Sequence, residues 1–213
     1  MSTTDDAPAS APAPVAQAAT GIADPGPLGL AGFALTTFLL SVVNAHWANS
    51  SSGAAWLGYA FAYGGLAQLL AGMWEFRNRN VFGSTAFSSY GAFWIGLGLW
   101  YLLVAPHTVG VEANRDLGWI LLAFAIFNSY MLLISTQVNA AVFGVFLTLE
   151  VTEILLFIGN FTVKAGGTSG LVKAGGYVGV LTALVAWYTS AAGVMNGLKG
   201  RPVIPVGKPL MDI

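Results

Sequence analysis

The sequence predicts an all-α, polytopic membrane protein with six transmembrane helices. Three observations carry that prediction. Only 8% of the 213 residues are charged, against about 25% in an ordinary soluble domain, which leaves too few polar side chains to cover a soluble surface. Hydrophobic residues make up 56% of the chain and the mean hydropathy is +0.71. The charges also leave long gaps: no Asp, Glu, Lys or Arg occurs from Pro25 to Trp74, Asn80 to Val111, Leu117 to Leu149, or Ala174 to Leu198. A bilayer-spanning helix needs about 20 mainly apolar residues.

Taken in order, residues 1–23 are rich in Ala, Pro, Ser and Thr, carry Asp5 and Asp6, and have no aromatic residue. They read as a disordered N-terminal tail. The tail lacks the positive start and apolar stretch of a signal peptide, so the first helix is the expected membrane-targeting signal. Residues 24–198 form the transmembrane domain. The first charge gap holds two helices, 28–47 and 54–74, divided by the soft segment Ser50-Ser51-Ser52-Gly53. The later gaps give helices over 86–105, 117–136 and 174–196. The apolar run Val138–Phe161 supplies a fifth helix over 139–160 despite two glutamates. These runs are too long and too uniformly apolar for barrel strands, which alternate. Residues 199–213 make a short C-terminal tail.

Composition excludes several functions. There is no Cys, hence no disulfide, zinc finger, iron–sulfur cluster or thiol nucleophile. Eight Lys and Arg against nine Asp and Glu give no basic field for nucleic acid. His46 and His107 fall at helix ends and are too few for paired haem ligation. Lys164 and Lys173 also fall at helix ends, so no intramembrane lysine is available for a retinal Schiff base. No catalytic residue, metal or cofactor is expected, and the chain does not read as an enzyme.

Loop charges set orientation. Arg77, Arg79, Lys199, Arg201 and Lys208 share the side of both termini; Arg115, Lys164 and Lys173 lie opposite. Five against three places both termini in the cytoplasm, with the protein in the cytoplasmic (inner) membrane. Small residues four apart, such as Gly175 and Gly179 or Gly193 and Gly197, suit close helix approach. They serve packing within the bundle or a subunit interface.

A few polar residues sit inside the predicted spans. Gln68 lies mid-helix, where a lone amide bonds across helices or lines a wet path. Thr36, Thr37, Ser88 and Ser89 are similar, though hydroxyls often bond their own helix backbone. Glu150 and Glu153 are three apart and share a face of the fifth helix with Phe157 and Asn160. An ionised carboxylate in lipid is costly, so each is a candidate proton site, or the two form a structural pair. Glu75, with Arg77 and Arg79, reads as an exposed interfacial charge cluster.

One stretch is more specific. Asp24-Pro25-Gly26-Pro27-Leu28-Gly29-Leu30-Ala31-Gly32-Phe33 resembles the N-P-x-P-L-G-L-x-x-F signature of the acetate/succinate transporter family (the GPR1/FUN34/YaaH group, succinate–acetate permeases). Two further blocks agree: Tyr63-Gly64-Gly65-Leu66-Ala67-Gln68 with Ala71-Gly72-Met73-Trp74-Glu75-Phe76, and Asn80 through Trp94. Asp24 replaces the motif Asn, adding a negative charge that either repels an anion or caps the helix. The resemblance implies six helices around a central path in each protomer, an apolar gate of Phe33, Tyr90 and Leu149, and a homo-oligomer, a hexamer. A dry gate makes a hydrated ion cross with difficulty.

The prolines can open the first helix without losing needed N–H bonds, and its free N–H groups favour an anion. Leu28 and Gly29 at that entrance, with Gln68, Ser89 and Thr36, are therefore candidate substrate-binding residues. The resemblance implies transport of acetate, and of succinate and other small carboxylates, by proton symport or channel-like anion passage. Protons and membrane lipid are the other expected partners. The alternative is a non-transporting membrane sensor or assembly subunit.

Overall fold

The computed structural model describes residues 21–48, 54–164, 167 and 169–211. The predicted divider Ser50–Gly53 and most of the predicted tail, 1–20, lie outside the described residues. Among the described residues every regular element is helical: α1 (Gly26–Asn44), α2 (Ala55–Phe61), α3 (Gln68–Arg77), α4 (Val81–Leu103), α5 (Glu112–Ser135), α6 (Ala140–Thr162) and α7 (Gly170–Lys199). A short 3-10 turn, Ala105–His107, follows α4. Helices α1 and α4 to α7 are each long and apolar enough to cross a membrane.

The predicted second span is composite. A π-helical turn, Ala62–Ala67, joins α2 to α3. Its glycines explain where it forms. A Cβ on Gly64 would overlap the Thr36 side chain of α1, and one on Gly65 would overlap Ala60 O. On the α1 side, Gly32 admits Tyr63 O, which a Cβ would meet at 2.7 Å. The widened turn therefore sits in close contact with α1. Extra width of this kind is characteristic of π turns at functional sites.

Side-chain caps set several helix starts. Asp24 Oδ1 accepts a hydrogen bond from Gly26 N at 2.9 Å. Asn80 Oδ1 accepts from Gly83 N at 3.0 Å, and Asn139 Oδ1 from Val142 N at 2.9 Å. Each bond satisfies an amide that the first helical turn would leave open. The Asn80 cap starts α4 five residues before the predicted position. Helices α5 and α7 also begin ahead of their apolar runs, because helices continue past the charges that end a hydropathy window. An exposed Glu112–Arg115 ion pair, 2.7 Å, lies on the first turn of α5.

The bundle closes as a ring. Helix α1 packs on α7, α7 on α6, α6 on α5, and the composite second span lies between α1 and α4. Helices α4 and α5 meet through aromatic side chains: Phe93 and Phe124 have ring centroids 4.5 Å apart, and Tyr90 lies 5.7 Å from Phe124. Small residues serve this packing. Gly175 receives Leu156, Gly179 receives Ser41, and Gly193 receives Pro27.

The C-terminal segment is not a loose tail. Helix α7 ends at Gly200, whose φ of +60° suits glycine. The chain then folds back as a strap. Asn196 Oδ1 accepts from Val203 N at 2.7 Å and Ile204 N at 2.9 Å, and Tyr188 donates to Pro205 O. Ala141 N donates to Val206 O at 2.9 Å, and Leu210 N to Thr136 O at 2.7 Å. The strap thus ties α7 to the α5–α6 connection.

Candidate functional site

Three cavities follow one another through the bundle. The first, about 250 Å³, opens on the side of the chain termini and is lined by Asp24, Pro27, Glu75, Asn80, Asn139 and Asn196 among others. The N-terminal turns of α1, α4 and α6 all face it, so their open amides and dipoles favour an anion there. Two carboxylates oppose that field: Asp24 and Glu75. Glu75 is not the exposed charge that its sequence position suggests. It is 1% exposed, because it lies on the inward face of α3 with Gln68 and Gly72, Gly83 leaves room for its Oε1, and Asn78 Nδ2 donates to its Oε2 at 3.1 Å.

The second cavity is small, about 40 Å³, and lined by Phe33, Thr37, Tyr90, Trp94, Leu149 and Glu153 among others. The third, about 500 Å³, opens on the opposite side past Asn44, His46, Trp100, Asn114 and Asn160. It shares Leu40, Asn44, Leu121 and Leu156 with the small cavity. A buried apolar cluster of Phe33, Ala86, Tyr90, Phe146 and Leu149 separates the small cavity from the terminal-side chamber.

The three residues expected at a gate therefore come together, from α1, α4 and α6. Phe33 and Tyr90 meet edge to face with centroids 5.7 Å apart. Phe93, Phe124 and Phe127 surround the Tyr90 ring at 6.2, 5.7 and 5.6 Å, so its position is fixed by packing. Its hydroxyl is the polar exception in this wall. It lies 3.0 Å from Asn128 Oδ1 and 3.3 Å from Glu153 Oε1.

The two glutamates separate despite sharing a helix face. Glu153 is buried toward Tyr90. Glu150 turns to α5, where its Oε2 accepts from Asn128 Nδ2 at 2.7 Å and its Oε1 from Ser129 at 2.8 Å. Asn128, fully buried, links the two through Tyr90. It was legible only as a lone amide in the apolar fourth helix, the signal that singled out Gln68.

The expected substrate-binding residues do not gather at the cavities. Thr36 Oγ1 bonds Gly32 O at 3.1 Å and faces the second span. Gln68 is buried, with its Oε1 unpartnered, and lines none of the three cavities. Ser89 is half-buried and also lies off them. Gly29 is a packing position, where a Cβ would meet the Phe87 ring at 2.6 Å. Leu28, 45% exposed, borders an outer groove between α1 and α7. Thr37, next to Thr36, does line the small cavity, as do Ser41 and Thr152.

Comparisons with known proteins agree with this architecture. The chain is 41% identical over 192 residues to Ammonia transport outward protein 2 of Saccharomyces cerevisiae, covering 88% of this chain and spanning 65% of the yeast protein's length. It is 33% identical over 189 residues to the Succinate-acetate/proton symporter SatP of Escherichia coli K12, covering 89% of this chain and 97% of that one. The solved structure described as the bacterial acetate channel SatP superposes with a TM-score of 0.78 at 33% identity, over 87% of this chain and 99% of the other. The GPR1/FUN34/yaaH family model matches residues 7–207, and the chain belongs to that family.

Proposed function

We propose that this protein carries acetate and related small carboxylates across a membrane along the three cavities. The observation that supports this most is the gate: Phe33, Tyr90 and Leu149 form a dry partition between two open chambers. Acetate titrates near pH ~4–5, like a Glu side chain, and is mostly an anion at neutral pH. Stripping its water at an apolar wall is costly unless donors or a proton replace that water. The path offers helix N-termini at one mouth, neutral amides at the other, and Tyr90 and Glu153 at the gate. The names of the relatives, one a proton symporter and one a channel, support the same substrate class.

On this reading both termini face the cytoplasm, each protomer has its own path, and protomers assemble as a homo-oligomer, a hexamer. Glu153 and Glu150 are the candidate proton sites. The test is uptake of labelled acetate by proteoliposomes, with and without a pH gradient. Saturable uptake above empty vesicles is expected. Uptake stimulated by an inward proton gradient identifies symport, and uptake that follows voltage alone identifies a channel. No saturable uptake would leave the sensor or assembly-subunit reading.

A second reading is passage of ammonium or ammonia. Asp24 and Glu75 at the terminal-side mouth favour a cation, as does the name of the yeast relative. Methylammonium uptake that acetate does not compete with would select it.

A further inference from the structure

Three buried polar atoms on residues lining the 40 Å³ cavity have no hydrogen-bond partner: Thr37 Oγ1, Trp94 Nε1 and Glu153 Oε2. The residues are 5%, 3% and 3% exposed. Buried polar groups without partners are rare and costly. Three around one cavity mark a place shaped for a polar guest.

Hydrogen-bond counting favours a proton on Glu153. Asn128 Nδ2 spends both protons, on Phe146 O at 3.0 Å and Glu150 Oε2 at 2.7 Å. Its oxygen is therefore the atom that faces Tyr90, and it takes the single Tyr90 proton at 3.0 Å. The Tyr90 oxygen is left as an acceptor opposite Glu153 Oε1 at 3.3 Å. A carboxylate there would set lone pair against lone pair; a carboxylic acid donates. The titratable groups facing Glu153 are Tyr90 of α4 and Glu150 of its own helix. Around the cavity α1 presents Thr37 and Ser41, and α5 presents Asn128 through Tyr90. None of these is a cation, and α7 meets this face of α6 through Thr182.

We propose that Glu153, in its acid form, joins Thr37 and Trp94 to make a subsite for one small carboxylate just past the gate. A half-turn of the Glu153 carboxyl group exchanges its O–H hydrogen bond to Tyr90 for one into the cavity, and the Tyr90 hydroxyl turns its proton from Asn128 Oδ1 to the Glu153 carbonyl oxygen that then faces it, with no covalent bond broken. The guest then receives three donors: the Glu153 O–H, the Thr37 O–H and the Trp94 N–H. Leu40, Leu121 and Leu156 suit a short alkyl group. The proton shared by guest and Glu153 can leave with either one, which is where symport and anion passage diverge. This subsite rests on the reading of the path as a carboxylate route.

The experiment uses the purified full chain in lipid, with 13C-labelled acetate as the probe. Infrared difference spectra should contain a protonated-carboxyl band that is absent in Glu153→Gln and that shifts on adding acetate but not chloride. Thr37→Val and Trp94→Phe should each weaken acetate binding about threefold to tenfold, the loss of one donor. A carboxyl band that ignores acetate, together with wild-type acetate affinity in Thr37→Val and Trp94→Phe, overturns the subsite. If Glu153→Gln does not fold, the Thr37 and Trp94 variants decide by the same criterion. The two failures are separable. Wild-type vesicles that take up acetate while the band stays unmoved sink the subsite alone. Wild-type protein that binds acetate at the band yet shows no uptake sinks the transport reading alone.

Discussion

The Tyr90 hydroxyl and the Asn128 side-chain oxygen lie 3.0 Å apart, and the Asn128 amide nitrogen carries the link on from the gate to Glu150. Asn128 thereby serves two partners that cannot serve each other. Replacing it with Leu would remove the Tyr90 hydroxyl's acceptor at 3.0 Å and one of the two donors to Glu150. A loss of about 1–3 kcal/mol is expected, the usual cost of buried groups left unpaired, with the lower end typical inside membranes. Chemical unfolding in detergent micelles measures it.

Tyr90→Ala removes a ring held by Phe33, Phe93, Phe124 and Phe127. The gate should admit larger carboxylates, seen as competition of acetate uptake by acids that leave the wild-type protein unaffected. Tyr90→Phe keeps the ring and removes the hydroxyl, so it should preserve size selection. A flux unchanged in Tyr90→Ala would instead favour the sensor reading.

Gly64→Ala places a methyl group into the Thr36 side chain. Overpacking of this kind costs about 1–3 kcal/mol, visible as a lower unfolding midpoint. The double variant Gly64→Ala with Thr36→Ala should recover part of that loss, because the second change vacates the clashing volume. No recovery would mean that the π turn itself, rather than the contact, needs glycine.

Asn196→Ala removes the side chain that holds Val203 and Ile204. The strap should then be cut by protease at 200–211 on the terminal side much faster than in the wild type. Cleavage in right-side-out but not inverted vesicles would reverse the proposed orientation.

The sequence made some of this legible and could not have made the rest so. The spans follow from charge-free runs, and Phe33, Tyr90 and Leu149 from motif context. The i, i+3 spacing placed Glu150 and Glu153 on one face, yet their fates differ because α5 offers Asn128 and Ser129 to one and α4 offers Tyr90 to the other. Such partners are tertiary facts. Glu75 seemed exposed because hydropathy ends near it, whereas the helix continues and turns it inward. Thr37 and Trp94 matter for lacking partners, which no spacing rule encodes. Gln68 and Ser89 carried the expected polarity, but they line none of the three cavities.

The π turn at Ala62–Ala67 has one more consequence. Each residue advances an α-helix by about 100°, so a turn that is wider by one residue resets the angular phase of everything after it. Gln68, Gly72 and Glu75 all face inward in that reset phase. Deleting one residue between 62 and 67 would let a regular helix form with this face still turned inward, whereas straightening the turn with every residue kept would swing the face by about 100°. A one-residue deletion there should therefore be better tolerated than a one-residue insertion, which moves Gln68, Gly72 and Glu75 out of phase.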